Sequence, residues 1–216
     1  MAYFPLFVDL NGKKCLIVGG GKVAYRKARA MADYGVKVTV IAARACGEMK
    51  EFGEEEGTLL LRKAVPQDAE GADLVICASD DHKLHQEIYA FCRERKIPIN
   101  TADDKELCTF YFPALVRRKD VVLGISTGGQ SPAAAGYLRR QAEAMIPSFF
   151  GDLTEVLGRL RPYVMGQVKT QKERERVFWQ LLWRGINEEG ILTREMAEEV
   201  IQESVGQETV LQEPAK

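Results

Sequence analysis

Short, wholly apolar runs alternate with amphipathic stretches over the first hundred residues. Cys15-Leu16-Ile17-Val18 is apolar at every position and ends in Gly19-Gly20-Gly21, as a strand buried on both faces does. Val23, Ala24, Ala28, Met31 and Ala32 follow on one side of a helix, and Gly35 suits the position just past its end. Val38-Thr39-Val40-Ile41 and Leu59-Leu60-Leu61 are the next strands, separated by a polar stretch with Glu51 and Glu54 to Glu56 that is expected to be solvated. Leu74-Val75-Ile76-Cys77-Ala78 is the clearest later strand. Ser79-Asp80-Asp81 then offers caps for a helix running to about Arg95. Ile97-Pro98-Ile99-Asn100 reads as a strand with proline near its start.

Strand and helix in alternation predict an α/β fold, a Rossmann-like, doubly wound parallel sheet. The pattern changes after residue 100. Phe110-Tyr111-Phe112 and Val121-Val122-Leu123-Gly124-Ile125 read as two strands of a hairpin around Arg117-Arg118-Lys119-Asp120. Only helices follow Ser131, at about 132–145, 149–161, 163–184 and 194–204, with Pro132, Pro147 and Pro162 each in a first turn. Gln207 to Lys216 has no period and is expected to fray. The expected organisation is a dinucleotide-binding domain over 1–112, a small dimerisation segment over 113–146 and a helical domain over 147–216.

Composition narrows the function. The 216 residues are 46% hydrophobic and 28% charged, an ordinary globular balance. Thirty Lys and Arg against 31 Asp and Glu leave a net charge of −1, so no basic field invites nucleic acid. No apolar run reaches the roughly 20 residues of a spanning helix, so no membrane partner is expected. Met1 to Leu10 is too short for a signal peptide. The five cysteines, Cys15, Cys46, Cys77, Cys92 and Cys108, are odd in number and form no C-x-x-C. That usage points to a reduced, cytoplasmic protein without disulfides or a thiolate zinc site.

Gly19-x-Gly21-x-x-Ala24 follows a strand and opens a helix, the setting that a dinucleotide fingerprint requires. Gly19 permits the tight turn, Gly21 lets the backbone approach a pyrophosphate, and Ala24 lets helix and strand pack closely. A phosphate would rest on the helix N-terminus. The acidic residue that usually binds the ribose is absent: the second strand ends in Ile41-Ala42-Ala43-Arg44. Arg44 suits either a 2′-phosphate or the solvent.

Ser126-Thr127-Gly128-Gly129-Gln130-Ser131-Pro132 is a second glycine loop between strand and helix, rich in N–H groups and hydroxyls. With Arg117, Arg118, Lys119, Arg139 and Arg140 it suggests a local anion site in a neutral chain. The alternative is an ordinary capped turn with solvated arginines. Asn100-Thr101-Ala102-Asp103-Asp104 follows a strand, where ligands of such sheets bind, and suits a general base or a turn. His82 and His85 share a helix without a third ligand, so they are expected to face solvent or cap, and no metal site is expected. Trp179, Trp183, Phe178 and Leu182 have the spacing of a core or interface face.

Phe4-Pro5-Leu6-Phe7, the run Cys15 to Ala24 with Arg26-Lys27-Ala28, Ala78-Ser79-Asp80-Asp81, Asn100 to Asp103, Phe110 to Ala114 and Ser126 to Pro132 together resemble the precorrin-2 dehydrogenase family. That family includes stand-alone enzymes and the N-terminal half of siroheme synthase. The likeness covers about residues 1 to 150. It implies NAD-dependent oxidation of precorrin-2 to sirohydrochlorin on the route to sirohaem, and in some members insertion of Fe2+. It implies a homodimer that exchanges the segment around 113–146. The family's aspartate falls on Asp103. Its cofactor contacts fall on Gly19, Gly21, Lys22, Val23, Ala43, Arg44, Ala78 and Ser79, with NAD preferred. The substrate side falls on Asn100, Ser126, Thr127, Gly128, Gly129 and Ser131, with Thr127 where many relatives carry serine. An NAD-sensing module without chemistry would account for residues 1–100 equally well. It leaves Asp103 and the second loop without a task.

Overall fold

The computed structural model describes residues 4–204; Gln207 to Lys216 lies outside them. Contacts divide the chain into two compact units. The first runs to Phe112 and also takes in Gly128–Ser131. The second comprises Pro113–Thr127 and the chain from Pro132 onward.

The first unit is a five-stranded, all-parallel sheet. Its strands are β1 (Lys14–Val18), β2 (Lys37–Ala42), β3 (Thr58–Leu61), β4 (Leu74–Cys77) and β5 (Ile99–Thr101), in the order β3-β2-β1-β4-β5. Alternation within each apolar run sends side chains to opposite faces. Cys15 and Ile17 join Val38, Val40 and Ile76 under α1 (Lys22–Ala32) and α2 (Gly47–Glu55). Leu16 and Val18 join Ile41, Val75, Cys77 and Ile99 under α3 (His82–Arg95). In the stretch expected to be solvated, Glu51 and Glu54 to Glu56 are exposed, but the stretch is not irregular. It forms α2, because Met49 and Phe52 at i, i+3 give it a buried stripe. Strand order reverses between β1 and β4, so the carboxyl ends of these two strands open a crevice of the kind that holds ligands in such sheets.

Phe110-Tyr111-Phe112 is not a strand. The preceding residues return along β5, where Ile99 N donates to Thr109 Oγ1 (2.8 Å) and Thr109 N donates to Ile99 O (2.7 Å). Phe110 and Phe112 then pack on the core of the first unit. The hairpin begins only after Pro113, as β6 (Ala114–Arg118) against β7 (Val121–Ile125).

In the second unit α4 (Pro132–Met145) packs on β6, while α5 (Phe150–Gln167), α6 (Gln171–Asn187) and α7 (Arg194–Ser204) close around Leu153, Val164, Val177, Leu181 and Val200. Pro162 does not start a helix; it lies inside α5. The carbonyl it leaves without a helical donor belongs to Gly158, which is exposed to solvent, and the helix continues through it. Pro147 likewise precedes α5 in a turn rather than opening it.

Candidate functional site

The three glycines after β1 do three different jobs. Gly19 has φ 127°, a conformation open to glycine, and a Cβ there would collide with the Ala78 carbonyl at the end of β4. A Cβ on Gly20 would collide with the Arg44 backbone, and Gly20 O accepts from Cys46 N at 2.9 Å. Gly21 is exposed and caps α1 with no side chain; nothing lies within 4 Å of the place its Cβ would take. Gly19 and Gly20 thus let three strand ends converge, and Gly21 leaves open space before a helix N-terminus. No acidic residue occupies the first turn of α1, so its N–H groups and dipole remain for an anion. Sequence reasoning left out Gly20, whose constraint comes from the distant Arg44.

The remaining expected cofactor residues surround this loop. Lys22 and the 39% exposed Val23 form the first turn of α1. Ala43 and Arg44 are exposed past β2, with Gly19 N donating to Ile41 O at 3.0 Å. No carboxylate stands at that ribose position, and Arg44 forms no ion pair with a described residue. Ala78 and Ser79 follow β4, half-buried. These features fit a nicotinamide dinucleotide: room at Gly21, uncapped N–H groups, and an open shelf at Ala43.

Asp103 and Asp104 separate cleanly. Asp104 accepts from Glu106 N (3.0 Å) and faces His82 Nε2 at 3.6 Å. Asp103 is exposed, holds φ 60°, and makes no hydrogen bond with a described residue. Asp tolerates this left-handed conformation better than most residues, as Asp and Asn do in turns. β5 carries the turn two strands away from the glycine loop.

Asn100, expected on the substrate side, lies on β5. It is buried and its amide is used at both ends. Oδ1 accepts from Lys27 Nζ at 3.0 Å, and Nδ2 donates to Phe110 O at 3.1 Å. Lys27 Nζ also lies 4.3 Å from the Phe112 ring centroid. Burial pulls its pKa down to about 8, against smaller favourable contributions from Cys108 and Asp103.

His85 departs from expectation. It lines the buried stripe of α3 with Ile88 and Cys92, and its Nε2 is 2.8 Å from Ser79 Oγ. Burial holds its pKa below the usual histidine value. His82 is exposed, as expected.

In the second loop Gly128 and Gly129 have φ 61° and 75°, and a Cβ on Gly129 would lie 3.8 Å from the Tyr111 hydroxyl. Gly128, Gly129 and Ser131 thus belong to the first unit, and Ser126 and Thr127 to the second. The expected anion cluster is partly spent: Lys119 pairs with Asp152 and Glu155, and Arg139 with Glu143. Among the described residues no three His, Cys, Asp or Glu come together to hold a metal ion. All five cysteines are free, and burial raises Cys15 and Cys77 to about 12. No described helix is long and apolar enough to cross a membrane.

A family model described as putative NAD(P)-binding matches residues 6–114. The siroheme synthase of Pseudomonas entomophila is 38% identical over 186 residues, 86% of this chain and 40% of that protein. The siroheme synthase of Pseudomonas paraeruginosa is 38% identical over 199 residues, 92% of this chain and 43% of that protein. The chain therefore spans about two fifths of the length of the curated relatives it matches. A solved structure titled SirC, precorrin-2 dehydrogenase shares the fold at a TM-score of 0.68 and 21% identity, covering 94% of this chain and 98% of that one.

Proposed function

Because the chain belongs to the putative NAD(P)-binding family, we propose that it is an NAD-dependent oxidoreductase that converts precorrin-2 to sirohydrochlorin. The observation that carries this reading is the exposed, left-handed Asp103 on the same sheet edge as an uncapped glycine loop. The likeness to siroheme synthases supports the substrate.

A bound nicotinamide ring supplies the hydride acceptor. The α1 N-terminus and Gly21 would hold the pyrophosphate, and Ala43 and Arg44 would border the ribose. Asp103 takes the proton as the hydride leaves, so the substrate loses two hydrogens in all. NAD is the preferred form, and a higher kcat/KM with NADP would contradict this. The substrate contacts are Gly128, Gly129 and Ser131, with Ser126 and Thr127.

The direct test incubates the purified protein with precorrin-2 and NAD. NADH and sirohydrochlorin should appear in equal amounts. Absorbance that stays flat while NAD binds would favour a sensing module. Fe2+ enters as a second substrate: ferrous iron added to the product should give sirohaem faster with protein than without it.

The chain acts as a homodimer through the 113–146 segment. Tyr137, Leu138 and Met145 of α4 are 55%, 47% and 73% exposed, an apolar face that a second copy would cover. A monomeric mass by light scattering at micromolar protein contradicts it. The free thiols support a cytoplasmic location, which cell fractionation tests.

A further inference from the structure

Lys27 has no task in the reading above, yet it is an ammonium drawn half out of water. Its Nζ donates to Asn100 Oδ1 at 3.0 Å and faces the Phe112 ring at 4.3 Å. It forms no ion pair with a described residue. The titratable and charged groups around it are Asp103 and Cys108 beyond β5, Cys15 on β1, and Arg26 on its own helix. The Cys15 thiol is held neutral by burial, and Cys108 is raised by the same cause. Asp103 acts on the ammonium without touching it. A charge removed from water without a paired counter-charge is costly. The ammonium has three donors, and one is spent on Asn100. An anion arriving beside Asp103 would complete the set.

We propose that Lys27 is a substrate-binding residue of this site, whose ammonium, fixed by Asn100 and Phe112, receives a carboxylate of the substrate beside Asp103. The proposal rests on the reading of a polycarboxylate tetrapyrrole as substrate, and it assigns to Lys27 a role that Asn100 was expected to fill. Asn100 is instead the support that aims the lysine. Charge-assisted hydrogen bonds of this kind, formed in a partly dry site, are among the stronger polar contacts.

A substrate carboxylate bound at Lys27 has a thermodynamic signature. Lys27 is partly deprotonated above pH 8 in the free protein. A carboxylate against it favours the protonated amine, so binding must take up a proton there. A structural lysine produces no such uptake.

The probe is uroporphyrin, a stable tetrapyrrole with eight carboxylates. Its binding is measured by calorimetry at pH 7 and pH 8.5, in buffers of different ionisation enthalpy. Wild type should bind it with proton uptake at pH 8.5. Lys27→Met should lose the uptake and bind about ten-fold or more weakly at pH 7, while NAD binding is retained. Lys27→Arg, charged throughout, should bind equally at both pH values without uptake. Proton uptake that persists in Lys27→Met, or that accompanies NAD rather than uroporphyrin, overturns the proposal. Uroporphyrin affinity unchanged in a folded Lys27→Met also overturns it. Wild type that binds uroporphyrin through Lys27 yet never oxidises precorrin-2 refutes the proposed reaction and leaves this inference standing.

Discussion

The hydroxyl of Ser79, at the carboxyl end of β4, lies 2.8 Å from Nε2 of His85 in the second turn of α3. The pair joins a half-buried residue just past β4 to a buried histidine. Burial disfavours the imidazolium, with a further push from His82, so His85 is neutral in the folded protein at neutral pH. Its folded pKa lies below its unfolded value of about 6.5. The unfolded chain therefore binds more protons on the acid side. The stability His85 contributes is present above about pH 6.5 and is lost as pH falls through the folded pKa. Urea unfolding at pH 7.5 and 5.5 should show a larger acid loss for wild type than for His85→Asn. Equal losses would contradict the buried, neutral assignment.

Gly20 and Gly21 make opposite predictions from adjacent positions. Gly20→Val should lower the melting temperature sharply, because its side chain meets the Arg44 backbone and Ala42. Gly21→Asp should melt near wild type, since nothing occupies that space, and should abolish NAD binding by blocking and repelling the pyrophosphate. Near wild-type NAD affinity in folded Gly21→Asp would refute the phosphate-loop assignment.

Lys27 carries the reverse linkage to a stabilising ion pair. Its pKa falls from 10.5 to about 8 on folding, so the unfolded chain binds more protons between these values. Wild-type stability should rise relative to Lys27→Met from about pH 8 to 10, by up to about 3 kcal/mol. The Cys15 and Cys77 thiols, at about 12, stay protonated across that window. Parallel stability curves for the two proteins would show that the lysine is not desolvated.

The sheet and its glycine loop were legible because their signals are local. Cys15-Leu16-Ile17-Val18 needs only its own composition to read as a buried strand, and Gly21 needs only the helix behind it. What stayed hidden depended on distant residues. Gly20 is fixed by Arg44, twenty-four positions on, and His85 is drawn inward by the stripe it shares with Ile88 and Cys92. Phe110 and Phe112 have the composition of a strand, yet the bonds of Thr109 to β5 carry them into the core instead. Pro162 reads as a helix start, and only the exposure of Gly158 shows why α5 tolerates it. Lys27 carries no local signal of its setting, because its partner Asn100 lies seventy-three residues away.

Asp103 and Asp104 give the most direct test of the proposed chemistry, because they are neighbours with unlike surroundings. Asp104 is tied to Glu106 N and His82, whereas Asp103 is presented in a left-handed turn with its carboxylate unbonded to any described residue. The decisive measurement is precorrin-2 turnover with NAD by Asp103→Ala and Asp104→Ala, each with its NAD affinity determined. Asp103→Ala should lose about 10²–10⁴-fold in kcat, the usual contribution of a positioned base, with NAD affinity kept. Asp104→Ala should lose little. A dead Asp104→Ala beside an Asp103→Ala of near-full turnover would contradict the account.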